Sequence, residues 1–399
     1  MTKKVWKNLL RYKVRFDMKG MLTIVIGLIS CSLFAQTVTD AQRKFIKGNI
    51  NDKTAAIREA GSNDVLALAG LDFAIGNRPL LGADRDLAAL AIASILSLPT
   101  DNLPQKNADS ISDRLVQTFN QFEDETVRIA VLEKIIPLSS AYKSAKAVNL
   151  VNTYLTTTNA ENATTRAAIT AAGKIGNSRT FEIIYGAWTS ERWPRYKAET
   201  EDALISLSSE SRGDAVRAIS TANLTEAYAF FKLLTNSEKN SPNFKAEIAE
   251  NALSKAIYTT EDLSGSMDET LNLQTEAMKV ISDSHWVRAA PLVIRYFSLA
   301  REEYEANVLK EEQFVAVINS MAQLTSTGTA QTLSGYLADL NRNVEKNNYP
   351  AKPVVLAVIN GLGVLGDKSA FDNLLYVTYL SYPQEVIAAA RNALAKLKW

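Results

Sequence analysis

The residues most suggestive of chemistry are three glycines near the C-terminal end. Gly361-x-Gly363-x-x-Gly366 follows the apolar run Val354-Val-Leu-Ala-Val-Ile359. Were that run a strand, the glycines would let the backbone approach a dinucleotide pyrophosphate at the start of a helix. Two features oppose this. A related stretch at 166–181 keeps Gly173 and Gly176 but has Ala171 in place of the first glycine, and the only candidate for the acidic ribose partner is Glu385. The glycines therefore read as repeat punctuation, and no cofactor is expected.

Catalytic and metal-ligating groups are sparse. His285, in Asp283-Ser-His-Trp-Val-Arg288, is the only histidine, so neither a multi-histidine metal site nor a histidine relay is available. It reads as a cap or an interhelical contact. Carboxylates cluster at Glu123-Asp124-Glu125, Glu302-Glu303 and Glu311-Glu312. Acids at helix starts favour the positive end of the dipole, so these read as solvated helix faces. No catalytic residue and no metal ligand is assigned.

Aromatic residues carry the recognition signal. Tyr185-Gly-Ala-Trp-Thr-Ser-Glu-Arg-Trp-Pro-Arg-Tyr196 holds two tryptophans, two tyrosines and two arginines, the residue types enriched at binding hot spots. Trp188, Arg192, Trp193, Arg195 and Tyr196 are the candidate partner-binding residues. The competing reading makes Trp188 core and Trp193 a staple leading into Pro194 at a helix start. Trp286, Arg288, Arg295, Tyr296 and Phe297 form a similar cluster open to the same two readings.

The elements that position these residues are helices. Ala, Leu, Glu, Lys and Ser dominate, and 17 Gly and 10 Pro are too few for the turns of an all-β chain of 399 residues. Arg166-Ala-Ala-Ile-Thr-Ala-Ala-Gly173-Lys-Ile-Gly176-Asn177 aligns with Leu356-Ala-Val-Ile-Asn-Gly-Leu-Gly363-Val-Leu-Gly366-Asp367. In each, the first of the last two glycines suits close approach of a neighbouring helix, and the second suits a C′ position with positive φ. Asn177 or Asp367 then caps the next helix. Ala74-Ile75-Gly76-Asn77 has the same ending. First helices are expected near Asp84, Asp124, Glu161, Pro194, Glu269, Lys310, Ala351 and Pro383, at spacings of about 32–41 residues with room for two units between Pro194 and Glu269. Polar loops are expected at Asn236–Asn243 and Thr259–Asp268.

These glycine turns resemble HEAT repeats, especially the short HEAT-like type first described in phycobilin lyases. The likeness is clearest at 161–188 and 351–380, weaker at 65–98 and 124–157, and faintest at 223–260. It implies an all-α fold, a right-handed α-solenoid of stacked antiparallel helix pairs whose second helices usually line the concave side. It implies no lyase activity, because the repeat is a scaffold. The expected organisation is one array over 36–399, with an irregular or hinge region around 223–268.

Residues 1–35 read as an export signal. Lys3, Lys4, Lys7, Arg11, Lys13, Arg15 and Lys19 precede the apolar run Met21–Ala35. That run spans about 22 Å as a helix, short of a bilayer core of about 30 Å. Cleavage after Ala35 is expected, and translation starts at Met1 or Met18. The only cysteine, Cys31, sits in Leu28-Ile-Ser-Cys31, a loose lipoprotein box, so lipidation there is the alternative. Removing 1–35 leaves 37 basic and 42 acidic residues, a net charge of −5, poorly suited to nucleic acid. The expected function is that of an exported, periplasmic or envelope-associated scaffold that binds a protein and touches the membrane only if lipidated. The alternatives are a hydrolase or lyase with its site in the concave face, and a lipid-anchored surface protein with the same binding role.

Overall fold

The computed structural model describes residues 40–61, 63–261 and 267–398. The expected signal segment, its cleavage site at Ala35 and Cys31 lie outside them. Among the described residues the chain is all-α. There is no strand, and one isolated bridge joins Asp367 to Lys398. No described helix is long and apolar enough to cross a membrane.

Two compact units divide between Leu150 and Val151. The first contains α1 (Asp40–Lys47), α2 (Ile50–Ala60), α3 (Asp64–Leu81), α4 (Arg85–Ser97), α5 (Gln105–Gln121) and α6 (Glu125–Tyr142); the division falls within α7 (Ala145–Thr157). The second contains α8 (Ala163–Ile175), α9 (Ser178–Thr189), α10 (Lys197–Glu210), α11 (Arg212–Thr221), α12 (Leu224–Asn236), α13 (Pro242–Glu261) and α14 (Met267–Asp283). It continues through α15 (Ala290–Glu305), α16 (Glu311–Ala322), α17 (Thr327–Glu345), α18 (Lys352–Leu365), α19 (Phe371–Val377) and α20 (Gln384–Leu394).

Within each unit, even-numbered helices stack on even-numbered ones and odd on odd, the two-layer arrangement of an α-solenoid. In the second unit the even layer runs from α8 to α20 and the odd layer from α9 to α19. Cap chemistry sets many of the starts. Asp84 accepts the Leu87 N–H at 2.8 Å, Asn162 that of Thr165 at 2.9 Å and Asn177 that of Thr180 at 3.1 Å. Asp124, Lys310, Ala351 and Pro383 stand at the N-cap positions of α6, α16, α18 and α20. Within the wide Pro194–Glu269 interval a second helix pair, α12 and α13, follows α10 and α11, and it is opened by Asn223, whose side chain accepts the Glu226 N–H at 2.9 Å. The Val354–Ile359 run lies inside α18, so Gly361 and Gly363 fall within a helix and Gly366 closes it. This removes the strand that a dinucleotide site requires.

Three local expectations need correcting. Gly366 ends α18 with φ of 65°, but Gly176 ends α8 with φ of −68°. Gly176 is needed for space instead: a Cβ there would lie 2.6 Å from Leu207 Cδ2 and 2.7 Å from Thr180 Cγ2. Gly76 ends nothing, because α3 continues to Leu81 and stops at Gly82, whose φ is 59°. Leu71 and Ala74 are fully buried, and their packing carries the helix through the glycine. Finally, Thr259 belongs to α13, which runs to Glu261, so the expected loop begins later.

The 223–268 stretch lies within the second unit. Nearby helix lengths are uneven: α11 has 10 residues and α13 has 20. A single residue, Ser211, separates α10 from α11.

Candidate functional site

The geometry of the even layer creates the site. Where α8 meets α10, a Cβ on Gly173 would lie 2.7 Å from the Ala203 Cα. Where α18 meets α20, the corresponding Gly363 position would lie 3.2 Å from the Ala393 Cα. Small residues bring those backbones together. No such pair joins α10 to α12, and these helices meet only sparingly. A groove of about 790 Å³ opens there, closed at one end by the last turn of α9 and the connection after it.

Trp188, Trp193, Ile205, Ala229 and Leu233 carry most of the apolar lining of this groove, with Ala187 and Pro194 beside them. Trp188 is fixed by an aromatic cluster. Its ring centroid lies 6.0 Å from Tyr185 and 5.8 Å from Phe230, and Tyr185 meets Phe230 edge-on at 5.1 Å. The indole N–H of Trp188 donates to Glu201 at 3.5 Å, a long bond that leaves most of that carboxylate's capacity unused. Burial, with a smaller contribution from Glu226, pushes the Tyr185 hydroxyl up to about 12.

Trp193 is only 3% exposed. It precedes the 3₁₀ turn Pro194–Tyr196 that leads into α10, and its buried indole N–H has no partner among the described residues. The ring is therefore a wedge in the core with one edge on the groove. Of the two readings of Trp193, this burial fits the staple that leads into Pro194. A connector this short must bury an apolar side chain to set the angle between α9 and α10.

The other candidates are used elsewhere. The Arg192 guanidinium lies 5.5 Å from the Trp193 ring and donates to the Leu155 carbonyl at 3.2 Å. The Arg195 backbone N–H donates to the Glu161 carboxylate at 2.8 Å. The Tyr196 carbonyl accepts the Thr200 hydroxyl at 2.8 Å. Of the five candidates, the structure brings Trp188 and Trp193 to the groove and leaves Arg192, Arg195 and Tyr196 off it. Its remaining charged lining is Glu191, Lys197, Glu201, Glu226 and Lys232. The α12 contributors were not singled out in the sequence. The available signal was Asn223 three residues before Glu226, which marks a helix start but not what that helix faces.

The second aromatic cluster disperses. Tyr296 and Phe297 are core. Glu250 accepts the Trp286 indole N–H at 2.7 Å and Arg288 Nε at 2.9 Å, tying α13 to the turn before α15. Arg295 stacks over Tyr258 at 4.8 Å. His285 is exposed at the C-terminal end of α14 with φ of 47°, and its Nδ1 lies 3.3 Å from the Gln323 carbonyl, an interhelical contact.

A larger cavity of about 880 Å³ lies on the odd layer between α15, α17 and α19. Its polar groups are spent on one another: Asp339 accepts from both Arg301 and Arg342, Asn341 donates to the Asn373 carbonyl and Tyr376 donates to Glu345. Asp339 is accordingly held below its ordinary range by the two arginines, against the opposing effect of burial. Such a network welds helices together and leaves little for a ligand. Among the described residues no three His, Cys, Asp or Glu side chains converge as metal ligands would.

Compared with known proteins, the sequence matches no family model and no curated protein.

Proposed function

We propose that this chain is a non-enzymatic adaptor of the bacterial envelope, a HEAT-like repeat array that binds a protein partner through its helical surface. One observation carries the reading: the open groove between α10 and α12, lined by Trp188, Trp193 and Leu233 and rimmed by charge. Indole and aliphatic surface inside a charged rim is the composition in which protein interfaces concentrate their energy. A groove bounded by helices accommodates a segment of another chain. The basic segment and apolar run before Gln36 support export. On this reading the intact mass of the native protein is that of the chain from Gln36, whereas an acyl adduct on Cys31 would instead establish lipid tethering.

Blocking the groove tests the binding role. Ala229 lines it from an exposed position of α12, so Ala229→Arg fills the opening without disturbing the core. The expected result is that a protein retained from envelope extract by the wild type is lost with the variant, while the melting temperatures agree. Identical retention by both would sink the proposal.

A further inference from the structure

We infer that the segment received by this groove is an extended basic peptide, with a bulky apolar side chain on the floor and lysine or arginine beside Glu201 and Glu226. This rests on the adaptor reading and names the partner's chemistry.

The charge balance of the lining points to it. Three carboxylates, Glu191, Glu201 and Glu226, face two ammonium groups, Lys197 and Lys232. The Lys232 ammonium is 3.9 Å from the carboxylate of Glu276, which is outside the groove lining, and 5.2 Å from the Tyr228 ring. Its charge is thus partly shared with a group behind the groove, and the lining keeps an excess of carboxylates, three against two ammonium groups. One of those carboxylates is also underused. Among the described residues Glu201 accepts only the 3.5 Å indole bond.

Carboxylates beside low-dielectric indole walls act on a cation more strongly than the same groups in open water. The half-buried Trp188 indole, unlike the buried Trp193, has surface to add attraction for ammonium and guanidinium groups. The apolar floor needs an occupant that is more than a charge. Trp188, Ile205, Ala229 and Leu233 offer area to an aliphatic or aromatic side chain, and about 790 Å³ holds a few residues of extended chain. An acidic segment would place carboxylates against carboxylates and is disfavoured on the same grounds.

The probes are two acetylated heptapeptides with a central phenylalanine, one flanked by lysines and the other by glutamates. Each is titrated into the purified full-length protein, and the Trp188 and Trp193 indole N–H resonances, assigned with Trp188→Phe and Trp193→Phe, report occupancy. The expected result is that the lysine peptide shifts the Trp188 resonance and binds about tenfold or more tighter than the glutamate peptide. The preference should fall at least threefold in Glu201→Gln/Glu226→Gln and in 0.5 M salt, and binding should vanish in Ala229→Arg. Equal affinities, a glutamate preference, no binding of either peptide at millimolar concentration, or undiminished binding by Ala229→Arg would each overturn the inference. If Ala229→Arg loses the retained partner yet the peptides show no basic preference, the inference fails and the adaptor reading stands. If the partner is retained by that variant, the adaptor reading itself fails.

Discussion

Gly173 and Ala203 touch where α8 meets α10, so closely that a methyl group on Gly173 would stand 2.7 Å from the Ala203 Cα. No side-chain rotation relieves a clash with backbone. Gly173→Ala should therefore cost about 1–3 kcal/mol as an overpacked contact, despite the gain of about 1 kcal/mol in helix propensity. Gly76 is the control, because it also lies inside a helix and nothing stands within 4 Å of its would-be Cβ. Gly76→Ala should gain about 0.5–1 kcal/mol. Urea midpoints for the two variants should move in opposite directions, and movement in the same direction would refute the close-approach argument.

Glu303 on α15 provides a pH-dependent test. Its side chain is 8% exposed, and neither carboxylate oxygen has a partner among the described residues. Burial pushes the carboxyl up to about 7 from an ordinary 4.5. Below the ordinary value both folded and unfolded chains hold the proton, and the site costs nothing extra. Between about 4.5 and 7 the folded state binds more proton than the unfolded, so stability falls as pH rises. Above about 7 the penalty is complete, at most about 3.5 kcal/mol at 1.4 kcal/mol per pKa unit and less for the solvent that reaches the site. Glu303→Gln should match the wild type within about 1 kcal/mol near pH 5 and exceed it by about 2 kcal/mol at pH 8. Parallel stability curves for the two proteins from pH 5 to 8 would contradict this.

What the sequence disclosed was repeat spacing and local chemistry. Asp84, Asp124, Lys310, Ala351 and Pro383 stand at helix starts, yet only Asp84 caps its helix through its side chain, so the repeat spacing rather than cap chemistry marks the other four. Gly366 was legible because the positive φ of a C′ position is set within one turn. The role of Gly176 was not, because Leu207, 31 residues on, decides it. Gly76 misled because burial of Leu71 and Ala74 outweighs a glycine's helix penalty. Half of the groove was visible as an aromatic cluster at 185–196. The α12 half was hidden because it depends on two helices standing apart, and no local motif records the absence of a Gly–Ala contact.

His285 occupies the left-handed position that ends α14. The Trp286 N–H donates to the Ile281 carbonyl at 3.0 Å and the His285 N–H to that of Ser282 at 2.9 Å, the paired bonds of a Schellman motif. Histidine, asparagine and aspartate tolerate this φ better than other side chains, and glycine tolerates it best. His285→Gly should raise stability by about 0.5–1 kcal/mol, and His285→Val should lower it by at least as much, because a β-branched side chain fits poorly at positive φ. Partner binding should be unchanged in both. A loss of stability in His285→Gly comparable to that in His285→Val would show that the ring contact with Gln323, not the backbone, sets this position.

Trp188 and Trp193 line the same groove, but truncation should separate them. Trp193 is 3% exposed and sets the turn into α10, so Trp193→Ala should cost about 3–5 kcal/mol, the range for a buried tryptophan. Its indole N–H has no partner among the described residues, so Trp193→Phe should recover most of that stability. Trp188 is half-buried and ringed by Tyr185 and Phe230 while one side faces the opening. Trp188→Ala should cost less stability, about 2 kcal/mol, and also weaken partner binding by about 2 kcal/mol, as loss of a hot-spot residue does. Arg195, whose backbone N–H makes the shorter contact to Glu161, should tolerate alanine with a loss of under about 1 kcal/mol. Thermal melts and binding curves on the four variants divide the segment into core and contact. If Trp193→Ala melts with the wild type while losing all affinity, Trp193 is an anchor and its assignment to the core is wrong.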